Sequence, residues 1–264
     1  MRRLQTNGPR NRNMTVMEVK LNTLLAAALS AGALAVAFEA PAAAQNTAGA
    51  GDVHYEILRG DRVLGEEQVR HSPAPFPSHG DRLLESTTRT IYSGGRVEMG
   101  HYELRTSPDW VPIEIRISVS APNGPSNLHG GFAGTTYQVQ FSTPRGNDAR
   151  EFQTRPPTYL IEDYTRVVFL QAILYAHHEH AQNPQEVATI DVQGRRAGTL
   201  TLDFAGYRQL GEVDAVTEGE GEADYRFWRV NVGSTALHLW TDTEGGIRRI
   251  EEPGSGLIIR PVGS

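Results

Sequence analysis

The sequence predicts a mainly β fold, a single curved antiparallel sheet (half-barrel or barrel) with one apolar helix packed on its concave face. Three features carry that expectation. Val111 to Val119 alternates apolar and polar side chains, the period of a strand with one dry and one wet face. Glycine turns such as Ser93-Gly94-Gly95 and Glu244-Gly245-Gly246 separate short runs of the same kind. One stretch without glycine or proline, Asp163 to Ala181, interrupts them and reads as the helix.

The chain opens with a different signal. Leu21 to Phe38 is apolar apart from Asn22, Thr23 and Ser30, follows Lys20 and several arginines, and leads into Pro41-Ala42-Ala43-Ala44-Gln45. A basic region, an apolar core and a small-residue A-x-A site define a secretory signal peptide. The expected organisation is a signal peptide over 1–44, cleaved after Ala44, a flexible leader over 45–51, and a single β-rich domain over 52–264. No later run is long enough to span a bilayer, so the mature protein is expected in the periplasm or secreted, with no membrane span after cleavage.

Within the domain, Val53, Tyr55 and Ile57 alternate with His54 and Glu56, Gly60-Asp61 turns the chain, and Arg62 to Arg70 continues as a second strand. A proline-rich loop, Ser72 to Gly80, precedes a hairpin of Arg82 to Tyr92 and Arg96 to Arg105. Val111, Ile113, Ile115, Ile117 and Val119 then form one face of the next strand, opposite Pro112, Glu114, Arg116 and Ser118. Tyr137, Val139 and Phe141 repeat the pattern, as do Leu200, Leu202 and Phe204. Tyr225 to Val232, Thr235 to Thr241, Ile247 to Glu251 and Leu257 to Val262 complete roughly ten to twelve strands, more than usually stay in one flat sheet. Val167 to Ala176 is apolar all round except for Gln171, and a helix of that kind is buried against the concave side of the sheet.

Composition excludes several chemistries. The chain has no cysteine, so it forms no disulfide and carries no acylated or nucleophilic thiol. Lys20, within the expected signal peptide, is the single lysine, which removes Schiff-base chemistry and a Walker-type phosphate lysine from the mature domain. A net charge of -6 disfavours nucleic acid as a partner. No glycine-rich loop joins a strand to a helix in the way a nucleotide requires, and no cofactor is expected.

The segment "YAHHEH", Tyr175 to His180, holds the densest chemistry. His177 and His180 stand three apart and share a helical face, with Glu179 beside them and Asp163 at the other end of the helix; these four are the candidate catalytic residues. The spacing is not that of H-E-x-x-H and no complete ligand set is marked, so no metal is assigned. The favoured reading places these side chains where a buried helix meets water, near the negative end of its dipole. On the wet strand faces, His101 with Glu103 and His54 with Glu56 read as solvated pairs. The run Glu212 to Asp224 lacks the ligand order of a calcium loop and reads as a solvated loop.

Three stretches resemble a broad group of uncharacterised bacterial periplasmic domains. These are "YEILRGDRVLGEEQV" at the start, "PPTYLIEDYTRVVFLQAIL" in the centre and "LHLWTDTEGGIRRIEEPGSGLIIRPV" at the end. The resemblance implies a curved half-barrel similar to those of periplasmic lipoprotein and lipid carriers. It transfers no catalytic residue, and the histidine cluster departs from the group's pattern. The expected function is binding or carrying a hydrophobic ligand, a lipid, isoprenoid or acyl chain, in a sheet-and-helix cavity. Ile113, Ile115, Ile117, Phe169, Ile173, Leu174, Tyr175 and His178 are the expected lining. The alternatives are an exported enzyme using the His-rich helix end, and a structural envelope protein that pairs with an envelope partner and holds no small ligand.

Overall fold

The structure, a computed structural model, describes residues 52–74, 80–154, 157–162, 164–178, 184–191, 196–211, 213 and 225–263. The expected signal peptide and leader, Asp163, Glu179, His180 and nearly all of the acidic run lie outside them. Among the described residues no helix is long and apolar enough to cross a membrane.

Eight strands run as successive hairpins: β1 (Val53–Arg59), β2 (Arg62–Pro73), β3 (Arg82–Ile91), β4 (Val97–Thr106), β5 (Pro112–Ala121), β6 (Gly124–Ala133), β7 (Thr136–Thr143) and β8 (Gly146–Gln153). β9 (Thr158–Ile161) leads into α1 (Val167–His177). The chain closes with β10 (Gln185–Asp191), β11 (Arg196–Arg208), β12 (Tyr225–Val232), β13 (Thr235–Thr241), β14 (Ile247–Glu252) and β15 (Leu257–Pro261).

All fifteen strands belong to one sheet, in the order β8 to β1, then β15 to β9. The first and last hairpins are therefore zipped together in the middle, where Ile57 lies opposite Ile259. Every pairing is antiparallel except β9 with β10, the two strands that α1 connects, because parallel neighbours need a crossover.

The sheet does not close. Its two edge strands, β8 and β9, are consecutive in sequence, and the few residues between Gln153 and Thr158 reach at most about 18 Å. The edges must therefore approach each other, yet β9 lies against β5 and α1 rather than pairing with β8. All four residues of β9 are buried, which a strand achieves only when both its faces are covered. β6 to β8 thus run on past the seam, and the sheet is an overlapping coil rather than a barrel.

The strand count exceeds the ten to twelve read from the sequence. β6 (GPSNLHGGFA) and β8 (GNDAREFQ) have no apolar alternation to reveal them; they hold their places through hairpin registers such as Leu128 opposite Phe141 and Gln140 opposite Ala149. The expected face of β5 also changes. Thr106 pairs with Pro112 and Arg105 with Glu114, so Ile113 is the extra residue of a β-bulge. Pro112 turns inward and Ile113 is half-exposed, whereas Ile115 and Ile117 keep the core face.

The helix is shorter than Asp163 to Ala181 and buried as expected: Val167 to Leu174 lie in the core, between 0% and 3% exposed. Its first turn contains no acidic residue and Arg166 at the N-cap offers no side-chain cap. Glu67 of β2 supplies the cap instead, accepting from Val167 N–H (2.8 Å) and Val168 N–H (3.2 Å). These are donors the helix cannot satisfy by itself.

Candidate functional site

Three side chains decide how the helix sits in the sheet. Glu67 is fully buried, and its carboxylate also accepts from Ser86 Oγ at 2.8 Å. Burial pushes the Glu67 carboxyl above the ordinary carboxylate range, opposed by the Arg166 guanidinium and by the hydrogen bonds from Val167, Ser86 and Val168. Arg166 in turn reaches Thr90 Oγ1 (3.1 Å) and lies over the Tyr102 ring. Halfway along, Gln171 donates to Gly245 O (2.7 Å) and accepts from Ile247 N–H (3.0 Å), docking the helix on the β13–β14 turn. Tyr55 donates to Ile247 O at 3.0 Å beside it. The one polar residue inside the apolar run is therefore a fastener.

The C-terminal end of the helix is held differently, by aromatic packing. Tyr175 stacks on Trp110 with centroids 4.3 Å apart and planes 29° apart. His71 of β2 lies 4.8 Å from Trp110, and the Arg82 guanidinium sits 4.4 Å from the Trp110 centroid. Trp110 belongs to the β4–β5 turn, where its N–H donates to Ser107 O, and it has φ +63°. Among the described residues it is the single non-glycine with positive φ, a conformation that costs a bulky residue about 1–3 kcal/mol and persists only where the surroundings enforce it. Burial pushes the Tyr175 hydroxyl up to about 12, helped by Asp242 and Glu244. Burial, with the Arg82 charge, lowers the His71 imidazole below its ordinary value. These residues cluster about the Trp110 indole beside the C-terminal end of α1, the end named the mouth.

The expected lining residues divide accordingly. Ile115, Phe169, Ile173 and Leu174 are 0% to 1% exposed and fill the space between sheet and helix. Tyr175 stands at the mouth. His178 donates its backbone N–H to Leu174 O, packs its ring on Gly245 and places Nδ1 2.9 Å from Tyr175 O. His177 turns away, with Nδ1 2.7 Å from Gln185 Oε1 and its ring 6.0 Å from Tyr159. The two described histidines of the cluster therefore diverge. Ile117 lines a separate open groove of about 640 Å³ across β5 to β8, whose row Ile117, Leu128 and Phe141 is apolar and whose margins are Arg116, His129 and Asp148.

His101 and Glu103, read from the sequence as a solvated pair, meet at 3.2 Å on the outer face, and with Glu85 their ligand atoms fall within 4.8 Å of one another. Arg70 binds Glu85 at 2.6 Å and Arg116 lies 3.9 Å from Glu103, so cations of the protein already serve these carboxylates. Glu67 holds the N-terminal end of the helix and Trp110 its C-terminal end, with Arg82 over the Trp110 ring, and sequence patterning marked neither Glu67 nor Arg82. An inward-facing Glu67 between Gly65 and Val69 on a strand was the one available clue.

No family model and no curated protein matches the chain. Among solved structures, a beta-barrel-like protein of domain of unknown function DUF1849 from Brucella abortus is similar, with TM-score 0.51 and 11% identity over 80% of this chain and 93% of that one. A DUF1089 family protein from Pseudomonas aeruginosa shares 16% identity over 72% and 90%, at TM-score 0.42. At such identity the first likeness concerns the fold alone: the chain is mainly β, similar to an uncharacterised beta-barrel-like protein, with an open sheet around one helix.

Proposed function

We propose that the protein is exported and binds a hydrophobic small molecule, a lipid, isoprenoid or acyl chain, between the sheet and α1, with the helix as plug and the Trp110–Tyr175 stack as its closure. The observation that carries this reading is the strained Trp110. A tryptophan held at φ +63° is an expensive way to fill a turn, and here the indole lies on the last turn of the helix, stacked on Tyr175. The helix supports the reading too. Beyond the Glu67 and Gln171 fasteners its buried contacts are apolar, and an acyl chain offers Phe169, Ile173 and Ile115 the same kind of surface that they offer one another.

The basic and apolar segments before Ala44 support export to the periplasm. The enzyme reading rests on His177 and His180 with Glu179 or Asp163; of these only His177 lies among the described residues, with Nδ1 2.7 Å from Gln185 Oε1. The test is the rate at which a fluorescent acyl probe enters wild-type protein and a Trp110→Ala variant. A plugged cavity predicts faster entry and faster release in the variant; equal rates, or no uptake by either, would contradict it.

A further inference from the structure

We propose that the mouth holds an oxyanion headgroup, so that the ligand is an anionic amphiphile of the carboxylate type rather than a neutral lipid. This rests on the hydrophobic-ligand reading above and names the ligand's polar end.

Arg82 opens β3 on the inward side, in step with Leu84 and Ser86, which are buried. Pro73 lies opposite Arg82 and His71 opposite Leu84, so alternation puts His71 and Arg82 on the same face of neighbouring strands. The result is an arginine directed into the mouth of a coiled sheet. Several half-buried arginines among the described residues have a carboxylate at close range: Arg105 has Asp81 at 2.6 Å, Arg249 has Glu251 at 2.6 Å and Arg248 has Asp242 at 2.9 Å. Among the described residues Arg82 has none, and its guanidinium lies over the Trp110 ring. Beside it, neither the His71 imidazole nor the Tyr175 hydroxyl makes a hydrogen bond among the described residues, although both are half-buried against the same indole.

These half-buried groups keep access to solvent, and an anion that replaced that water would meet donors already gathered about one indole. Here the groups are a guanidinium fork, an imidazole and a phenol. All three can donate, and together they suit one oxyanion. The nearby acids do not cancel the field. Asp242 is bound to Arg248 and accepts from Gly246 N–H at 2.7 Å, and Glu244 is exposed to solvent. An anion seated on Arg82 would leave its chain directed along Tyr175 toward Leu174 and the apolar interior.

The experiment is a calorimetric titration of mature protein with sodium dodecanoate, dodecanol and sodium acetate, repeated on Arg82→Met, which keeps the stem against Trp110, and on Arg82→Lys. The expected result is dodecanoate binding about 10- to 100-fold tighter than dodecanol in wild type, a preference lost in Arg82→Met and partly kept in Arg82→Lys, and acetate far weaker than dodecanoate. Equal affinity for dodecanoate and dodecanol in wild type overturns the headgroup assignment while leaving the hydrophobic-ligand reading in place. Acetate binding as tightly as dodecanoate identifies a small free anion and overturns the amphiphile. Absence of binding by all three is the distinct result that removes the underlying reading. The wild-type comparison decides the matter even if a variant fails to fold.

Discussion

Glu67 concentrates the residue-scale physics. It accepts from two helix N–H groups and from Ser86 in a site with no solvent, so removing it leaves several buried donors unsatisfied. Glu67→Ala is expected to cost about 2–4 kcal/mol in urea denaturation, and Glu67→Gln, which keeps one of the two accepting oxygens, less. The pH dependence has a definite sign. Burial raises the folded carboxyl above its ordinary 4.5, so its favourable contribution is full below that value and declines as pH rises through the folded value. Wild type should therefore lose stability relative to Glu67→Gln between acid and neutral pH; the opposite slope would show that Arg166 and the helix N–H groups outweigh burial. Trp110 gives a second residue-scale expectation. Trp110→Ala should cost about 3–5 kcal/mol through the lost stack, and Trp110→Gly about 1 kcal/mol less, because glycine adopts positive φ without penalty. Chemical denaturation of the two variants measures both. The capping role of Glu67 was not legible beforehand, since it caps a helix 100 positions away, and the strain at Trp110 leaves no trace in hydropathy.

At the scale of elements, the apolar run from Val167 announced α1, and its only polar interior residue, Gln171, marks the fastening to the β13–β14 turn. Gln171→Leu would leave Gly245 O and Ile247 N–H without their partner. The expected cost is about 2–3 kcal/mol, with faster amide exchange confined first to Asp242 through Ile247. Uniform acceleration across the sheet would mean that the fastener acts on the whole fold instead. Helix boundaries were less legible than helix existence, since the cap comes from another strand. Strands with one dry face, such as β7 and β13, declared themselves by alternation. β6 and β8 did not, because their stability comes from neighbours rather than from their own pattern. The Ile113 bulge was hidden for a related reason: only pairing with Arg105 and Thr106 reveals the inserted residue.

At the scale of the molecule, the mainly β class and the single enclosed helix followed from composition and period, whereas the overlapping coil depends on contacts between β5 and β9 that no local pattern encodes. An open sheet with a buried helix provides two apolar surfaces already shaped for each other, and a ligand that replaces part of that contact gains a binding site without a preformed void. Export, as proposed, predicts a mature N-terminus at Gln45; a mass corresponding to the whole chain would refute the processing. The most direct test of the central claim is native mass spectrometry of mature protein from an exporting host, prepared without detergent, followed by denaturing analysis of the same sample. The expected result is excess mass that resolves into an apolar or amphipathic molecule, released on denaturation, and uptake of added dodecanoate at one per chain. Protein that is bare as isolated and takes up no dodecanoate would contradict it.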